Sequence, residues 1–158
     1  MTMISRRDTL RAGVGALAVL STAPVSAQAA TRVSFVLTND IYKMAEEKGI
    51  GGLARLAAVV KSERARSPNV FFAHAGDTLS PSLMSGFDQG AHMIALFNAM
   101  TLDAFAPGNH EFDFGKDVFL KRMAEARFPV YAANLRMADG TPVPSVKDSA
   151  IVEMGGVR

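Results

Sequence analysis

The amino-acid sequence predicts an α/β fold built on a mainly parallel sheet. Short apolar, β-branched runs alternate with segments of helical period, and turn-forming residues separate the two. Several of the runs also end in Asp, His or Asn beside glycine. That is the signature of parallel strands whose carboxyl ends face a ligand. The 158 residues leave room for about one domain.

The first 29 residues do not belong to that alternation. They read MTMISRRDTLRAGVGALAVLSTAPVSAQA: arginines, a short apolar run from Ala12 to Leu20, and a small-residue end at Ala29. This is the three-part layout of an export signal, removed from the mature protein. The paired Arg6 and Arg7 sit where twin-arginine signals carry theirs, although Thr9 stands where such signals favour an aromatic. The apolar run is well short of the roughly 20 residues that span a bilayer. The expectation is therefore a signal at residues 1–29, a domain at 30–158, a periplasmic destination and no stable membrane anchor.

Charge and cysteine content narrow the function classes. Removing Arg6, Arg7 and Arg11 against Asp8 from the 17 basic and 15 acidic residues leaves 14 of each. A neutral mature chain argues against nucleic acid as a partner. With no cysteine there are neither disulfides nor thiolate metal sites.

Each element follows from its own pattern. Val33 to Thr38 reads as a buried strand. Gly51 and Gly52 open a helix whose Leu53, Leu56, Ala57 and Val60 share one face, and which stops before Pro68. Asn69 to Ala73 is a second strand, closed by His74-Ala75-Gly76-Asp77. Asp88 caps a helix with Met93, Leu96, Phe97 and Met100 on one side. Asp103 to Ala106 forms a third strand, Lys116 to Ala126 a helix, Pro129 to Ala133 a fourth strand, and Ala150 to Met154 a fifth. Gly155-Gly156 suits a hairpin turn, with only Val157 and Arg158 left for the returning strand, so the fold is expected to be incomplete.

Three successive strands end in residues that bind metal. The first ends T-N-D at Asp40, the second A-H-A-G-D at Asp77, and the third P-G-N-H-E at Asn109 and His110. Their oxygen and nitrogen donors suit Mn, Zn, Mg, Ca or Fe rather than soft metals. His92, on an ordinary helix, and His74, ahead of the Gly76 turn, read as structural.

The ordered set T-N-D-x-Y, then G-D, then G-N-H-E-F-D resembles the calcineurin-like metallophosphoesterases, and among them the exported 5′-nucleotidase and UDP-sugar hydrolase family. The matching stretch runs from about Val33 to the C-terminus. The resemblance implies the first half of an αββα sandwich and a hydrolase of phosphoric esters, with a nucleotide or another phosphate ester as substrate. It further implies two divalent metal ions, held by Asp40, a bridging Asp77 and Asn109, with His110 as a catalytic residue and Asp113 orienting its ring.

Two departures qualify these implications. The family's first motif is D-x-H with a ligating His, and Tyr42 stands at that position here. A phenol with a pKa near 10 ligates only if the cation displaces its proton. Tyr42 is thus either a retuned ligand or an outward-facing side chain. The family's later histidine ligands are also missing, since no histidine follows His110. The chain is accordingly expected to be weak or inactive alone. The alternatives are a non-catalytic metal- or phosphate-binding fragment, or one half of an enzyme whose second half is separately encoded.

Overall fold

Side-chain alternation in the first strand, β1 (Ser34–Thr38), sets the two faces of the sheet. Ser34, Val36 and Thr38 point one way, and Phe35 and Leu37 the other. The computed structural model describes residues 30–158, so the expected export signal at 1–29 lies outside the described residues. β1 pairs in parallel with β2 (Val70–His74), from Ser34 opposite Val70 to Thr38 opposite His74. Three two-residue strands follow: β3 (Ala104–Phe105), β4 (Val130–Tyr131) and β5 (Val146–Lys147). The sheet is parallel throughout and ordered β1-β2-β3-β4-β5.

Sequential order in a parallel sheet puts every right-handed crossover on the same face. The connecting helices are α1 (Leu53–Arg66), α2 (Leu83–Asp88), α3 (Ala91–Ala99) and α4 (Lys116–Glu125). Leu53 and Val60 of α1, Met93, Ile94 and Phe97 of α3, and Phe119 and Met123 of α4 are buried with Phe72, Phe105 and Val130 of the sheet. Each such side chain contributes about 1.5–3 kcal/mol relative to exposure. The opposite face carries no helix among the described residues. Phe35 is 71% exposed and Leu37 69% exposed there, and Phe35 meets Phe71 edge-on at 6.1 Å.

Several sequence expectations need correction. Short helix α2 was not anticipated. Asp88 is its last residue, and the N-cap of α3 is Gly90. Asp88 nevertheless serves α3, because its carboxylate accepts the N–H groups of Gly90 and His92 at 3.0 and 2.8 Å. The strand expected at Ala150 to Met154 does not form. The position beside β4 is occupied by Val146–Lys147, which leaves Ile151 73% exposed. β-propensity cannot create a strand without a neighbour to complete its ladder. The Gly155-Gly156 turn does form, with Met154 and Val157 exchanging backbone hydrogen bonds at 2.9 and 3.0 Å.

His74, at the end of β2, lies inside this core. Its Nδ1 is 2.9 Å from Thr38 Oγ1, and its ring lies 4.6 Å from Phe97 and 5.7 Å from Phe105. Burial pushes its pKa down to about 4, against the opposing pull of the Asp40 and Asp77 carboxylates. The unfolded chain therefore takes up a proton near pH 6.5 that the native state refuses until about 4. Stability from this group is complete above 6.5 and is lost as the pH falls towards 4. Acid titration of unfolding should show this loss, up to about 3 kcal/mol, and His74→Phe should flatten it. An unchanged acid limb in the variant would count against the assignment.

Candidate active site

The site is built from the loops that leave the carboxyl ends of β1, β2 and β3. Asp40 and Asp77 both adopt left-handed backbone, with φ of 56° and 58°. Short polar side chains tolerate that region better than most, and it often marks functional loops. Backbone pairing continues past the strands: Ala75 N–H donates to Thr38 O at 2.7 Å, and Asp40 N–H to Gly76 O at 3.0 Å. The two aspartate loops therefore run side by side.

The third loop is pressed against them backbone to backbone. Gly76 has φ of 80°, and a Cβ there would lie 2.2 Å from Gly108 N. A Cβ on Gly108 would lie 2.3 Å from Asp77 Oδ1. No larger side chain fits between these turns. Asp77 Oδ1 in turn accepts the His110 N–H at 2.9 Å, at the start of a single 3₁₀ turn, His110–Phe112.

Glu111 locks the second and third loops together. It is fully buried, and its carboxylate accepts four backbone N–H groups. Oε2 takes those of Asp77 at 2.9 Å and Gly108 at 2.6 Å. Oε1 takes those of Thr78 at 2.7 Å and Leu79 at 3.3 Å. Charge-assisted bonds of this kind are what make a buried carboxylate tolerable. Sequence reasoning assigned Glu111 no role. Its only signal was a second acid inside the dense G-N-H-E-F-D run.

His110 and Asp113 come together as expected, with Nδ1 2.7 Å from Asp113 Oδ2. Nδ1 therefore carries the proton and Nε2 is left to face a ligand. Ser80, which the sequence reading missed, donates its hydroxyl to the same Asp113 oxygen and fixes the carboxylate. The Asp113 hydrogen bond raises the His110 pKa above its ordinary 6.5, with added help from the Asp77 and Glu111 charges. Hydrogen bonds from Ser80 and then His110 hold Asp113 below its ordinary 3.8.

Tyr42 is half-buried beside this pair. Its ring meets that of His110 edge-on, with centroids 6.5 Å apart. Asn109 makes no side-chain cap for the turn that follows it, so its amide is free for a ligand. Asp40, Asp77 and Asn109 thus fit a hard divalent cation in kind. In number they fall short: among the described residues, no three His, Asp or Glu side chains gather closely enough to hold a metal ion.

Two outcomes follow from this geometry. Glu111→Ala leaves four N–H groups without an acceptor, two of them buried and two part-buried, and should cost at least about 3 kcal/mol in denaturant unfolding. A loss below about 1 kcal/mol would mean that water replaces the carboxylate. In metal-free protein, NMR should find His110 titrating above 6.5, and Asp113→Asn should bring it back. The sign follows from linkage: the His110 contribution to stability is complete below 6.5 and is lost as the pH rises through its native value. That of Asp113 is complete above 3.8 and is lost as the pH falls through its own.

Known proteins resemble this chain in sequence and in fold. The family profile for calcineurin-like phosphoesterase matches residues 33–157. Human 5′-nucleotidase is 32% identical over 123 residues, covering 70% of this chain and 21% of the relative. The solved 5′-nucleotidase precursor from Thermus thermophilus superposes with a TM-score of 0.67 at 30% identity, covering 78% of this chain and 26% of that one. The NAD nucleotidase of Haemophilus influenzae gives a TM-score of 0.69 at 27% identity, covering 78% and 24%. The chain spans about a fifth of the length of the human relative it matches. Sheet, motif order and loop geometry together place the chain in the calcineurin-like phosphoesterase family.

Proposed function

We propose that this chain is the metal-binding front half of a phosphoric ester hydrolase that acts on nucleotides or closely related phosphate esters. The observation that carries the proposal is the Glu111 clamp. It ties the Asp77 loop to the loop of Asn109, His110 and Asp113, and backbone pairing of Asp40 with Gly76 sets the Asp40 loop beside them. The nucleotide preference rests on the 5′-nucleotidase and NAD nucleotidase relatives.

In this reading Asp40, Asp77 and Asn109 would hold divalent metal together with ligands from outside the described residues, and Tyr42 would be available as one more. Bound there, such metal would supply Lewis-acid chemistry, activating a water and neutralising phosphoryl oxygens. The chain's own part is positional and electrostatic. Asp113, fixed by Ser80, holds Nδ1 of His110 so that Nε2–H faces the phosphoryl group when the imidazole is charged. A fixed imidazolium stabilises charge that grows on the equatorial oxygens in the transition state. His110 is the catalytic residue, and Asp113 and Ser80 act through it.

A second reading, half of a split enzyme, is favoured by the uncovered apolar sheet face around Phe35 and Leu37. A separately encoded polypeptide that buried that face could also bring the ligands that this chain lacks. On either reading the signal at residues 1–29 directs the protein to the periplasm by the twin-arginine route. No helix among the described residues is long and apolar enough to cross a membrane.

Isothermal titration of the mature chain with Mn²⁺ should detect binding that weakens at least about tenfold in Asp77→Asn. Phosphate release from AMP by the chain alone should be slight, and co-expression with a downstream second half should restore it. No metal binding above that of the variant would defeat the metal-site reading. Strong AMP hydrolysis by the chain alone would defeat the split reading.

A further inference from the structure

A hollow of about 350 Å³ lies between the chain that follows Asp40 and the start of α2, and Met44, Met84 and His92 share its lining. These two methionines differ from those of the core. Met93 and Met123 are closed to solvent, whereas Met44 is 39% and Met84 45% exposed. The Met44 backbone is tied to α1, its carbonyl accepting the Leu53 N–H at 3.0 Å. Thioethers are polarisable donors on flexible stems, able to adjust to an ion without moving the backbone.

His92 adds a donor with no partner. Its Nδ1 lies 2.9 Å from both carboxylate oxygens of Asp88, and Asp88 is itself fixed by the N–H groups of Gly90 and His92. A carboxylate only accepts, so Nδ1 carries the proton and the neutral ring presents a lone pair at Nε2. That Nε2 is buried and has no hydrogen-bond partner among the described residues. Leaving a buried acceptor unpaired is costly. A carboxylate on one ring nitrogen and an unused second nitrogen is the arrangement of a metal-binding histidine. His74 also has an unpartnered Nε2, but a hydroxyl meets its Nδ1, and the rings of Phe97 and Phe105 pack against it.

The hard donors at the rim of the hollow are already engaged. Glu47 is paired with Lys43 at 2.9 Å and Glu46 with Arg55 at 2.7 Å. Ser82 Oγ accepts the Ser85 N–H at 3.0 Å and lies 2.6 Å from the Ser85 hydroxyl. The thioethers of Met44 and Met84 and the imidazole Nε2 remain uncommitted. Thioether and imidazole together select a soft ion such as Cu⁺ over Mg, Ca or Mn.

We propose that Met44, Met84 and His92 form a binding site for a soft monovalent metal ion of the copper(I) class. Asp88 positions the imidazole and does not itself ligate. The site uses none of Asp40, Asp77, Asn109 or His110, so it stands or falls independently of the phosphoesterase reading.

NMR of the protein labelled at its methionine methyls and histidine nitrogens tests this, with Ag⁺ as a redox-inert substitute for Cu⁺. One equivalent of Ag⁺ should shift the Met44 and Met84 methyls and the His92 Nε2 resonance, and leave Met93, Met123 and His110 unmoved. In anaerobic competition with a chromophoric chelator, Cu⁺ affinity should fall at least about tenfold in Met84→Leu and in Asp88→Asn. Both substitutions are nearly isosteric, and the asparagine keeps an acceptor for the Gly90 and His92 N–H groups. Equal Cu⁺ affinity in the unaltered protein and Met84→Leu overturns the site, as does Ag⁺ that moves the methyls without His92 Nε2. A response of the same groups to Zn²⁺ with none to Ag⁺ overturns the assignment to a soft ion.

Discussion

The arrangement depends on one carboxylate. Glu111 is buried, and four backbone N–H groups from two separate loops replace the water it has lost. A lysine or arginine as its partner would have brought a long side chain into a space where Gly76 and Gly108 already touch. Backbone donors need no such room. The same bonds hold Asp77 in a left-handed conformation that an isolated aspartate would seldom keep. Strain in the loop and burial of the acid are thus offset by a single set of hydrogen bonds.

From this clamp the electrostatics of the site follow. Asp77 N–H is turned inward to Glu111, while Asp77 Oδ1 accepts the N–H of His110. The imidazole then lies within the field of Asp113, Asp77 and Glu111, all acting in one direction on its proton. His74, only three residues before Asp77, behaves oppositely because apolar burial outweighs the two aspartates nearby. Two histidines at one sheet edge are thus shifted in opposite directions, His74 by burial and His110 by its hydrogen bond to Asp113. The one-sided layering has a different origin. Sequential parallel strands put all crossovers on one face, and the other is left apolar and bare around Phe35 and Leu37.

Much of this was legible in the residues. The parallel sheet follows from alternating strand and helix patterns, and the site from the succession T-N-D, G-D and G-N-H-E-F-D. Asp40, Asp77, Asn109, His110 and Asp113 were all named from those motifs, and the His110–Asp113 hydrogen bond joins two of them. What escaped were residues whose importance is a matter of contact. Glu111 lies in the same motif as His110 and differs from it in facing inward. Ser80 lies in an unremarkable S-P-S run and reaches Asp113 across 33 positions. Ala150 to Met154 looks like a strand because propensity is local, whereas β5 is defined by its pairing with β4.

The sequence by itself determined the class of fold, the order of the strand-end motifs and the kinds of donor available, because these are written in local period and residue type. Only the tertiary structure decided which acid is a clamp and which faces a ligand. It also turned Tyr42 toward His110 and left one sheet face open. Those outcomes depend on burial and on contacts between segments far apart in the chain, which no local pattern encodes.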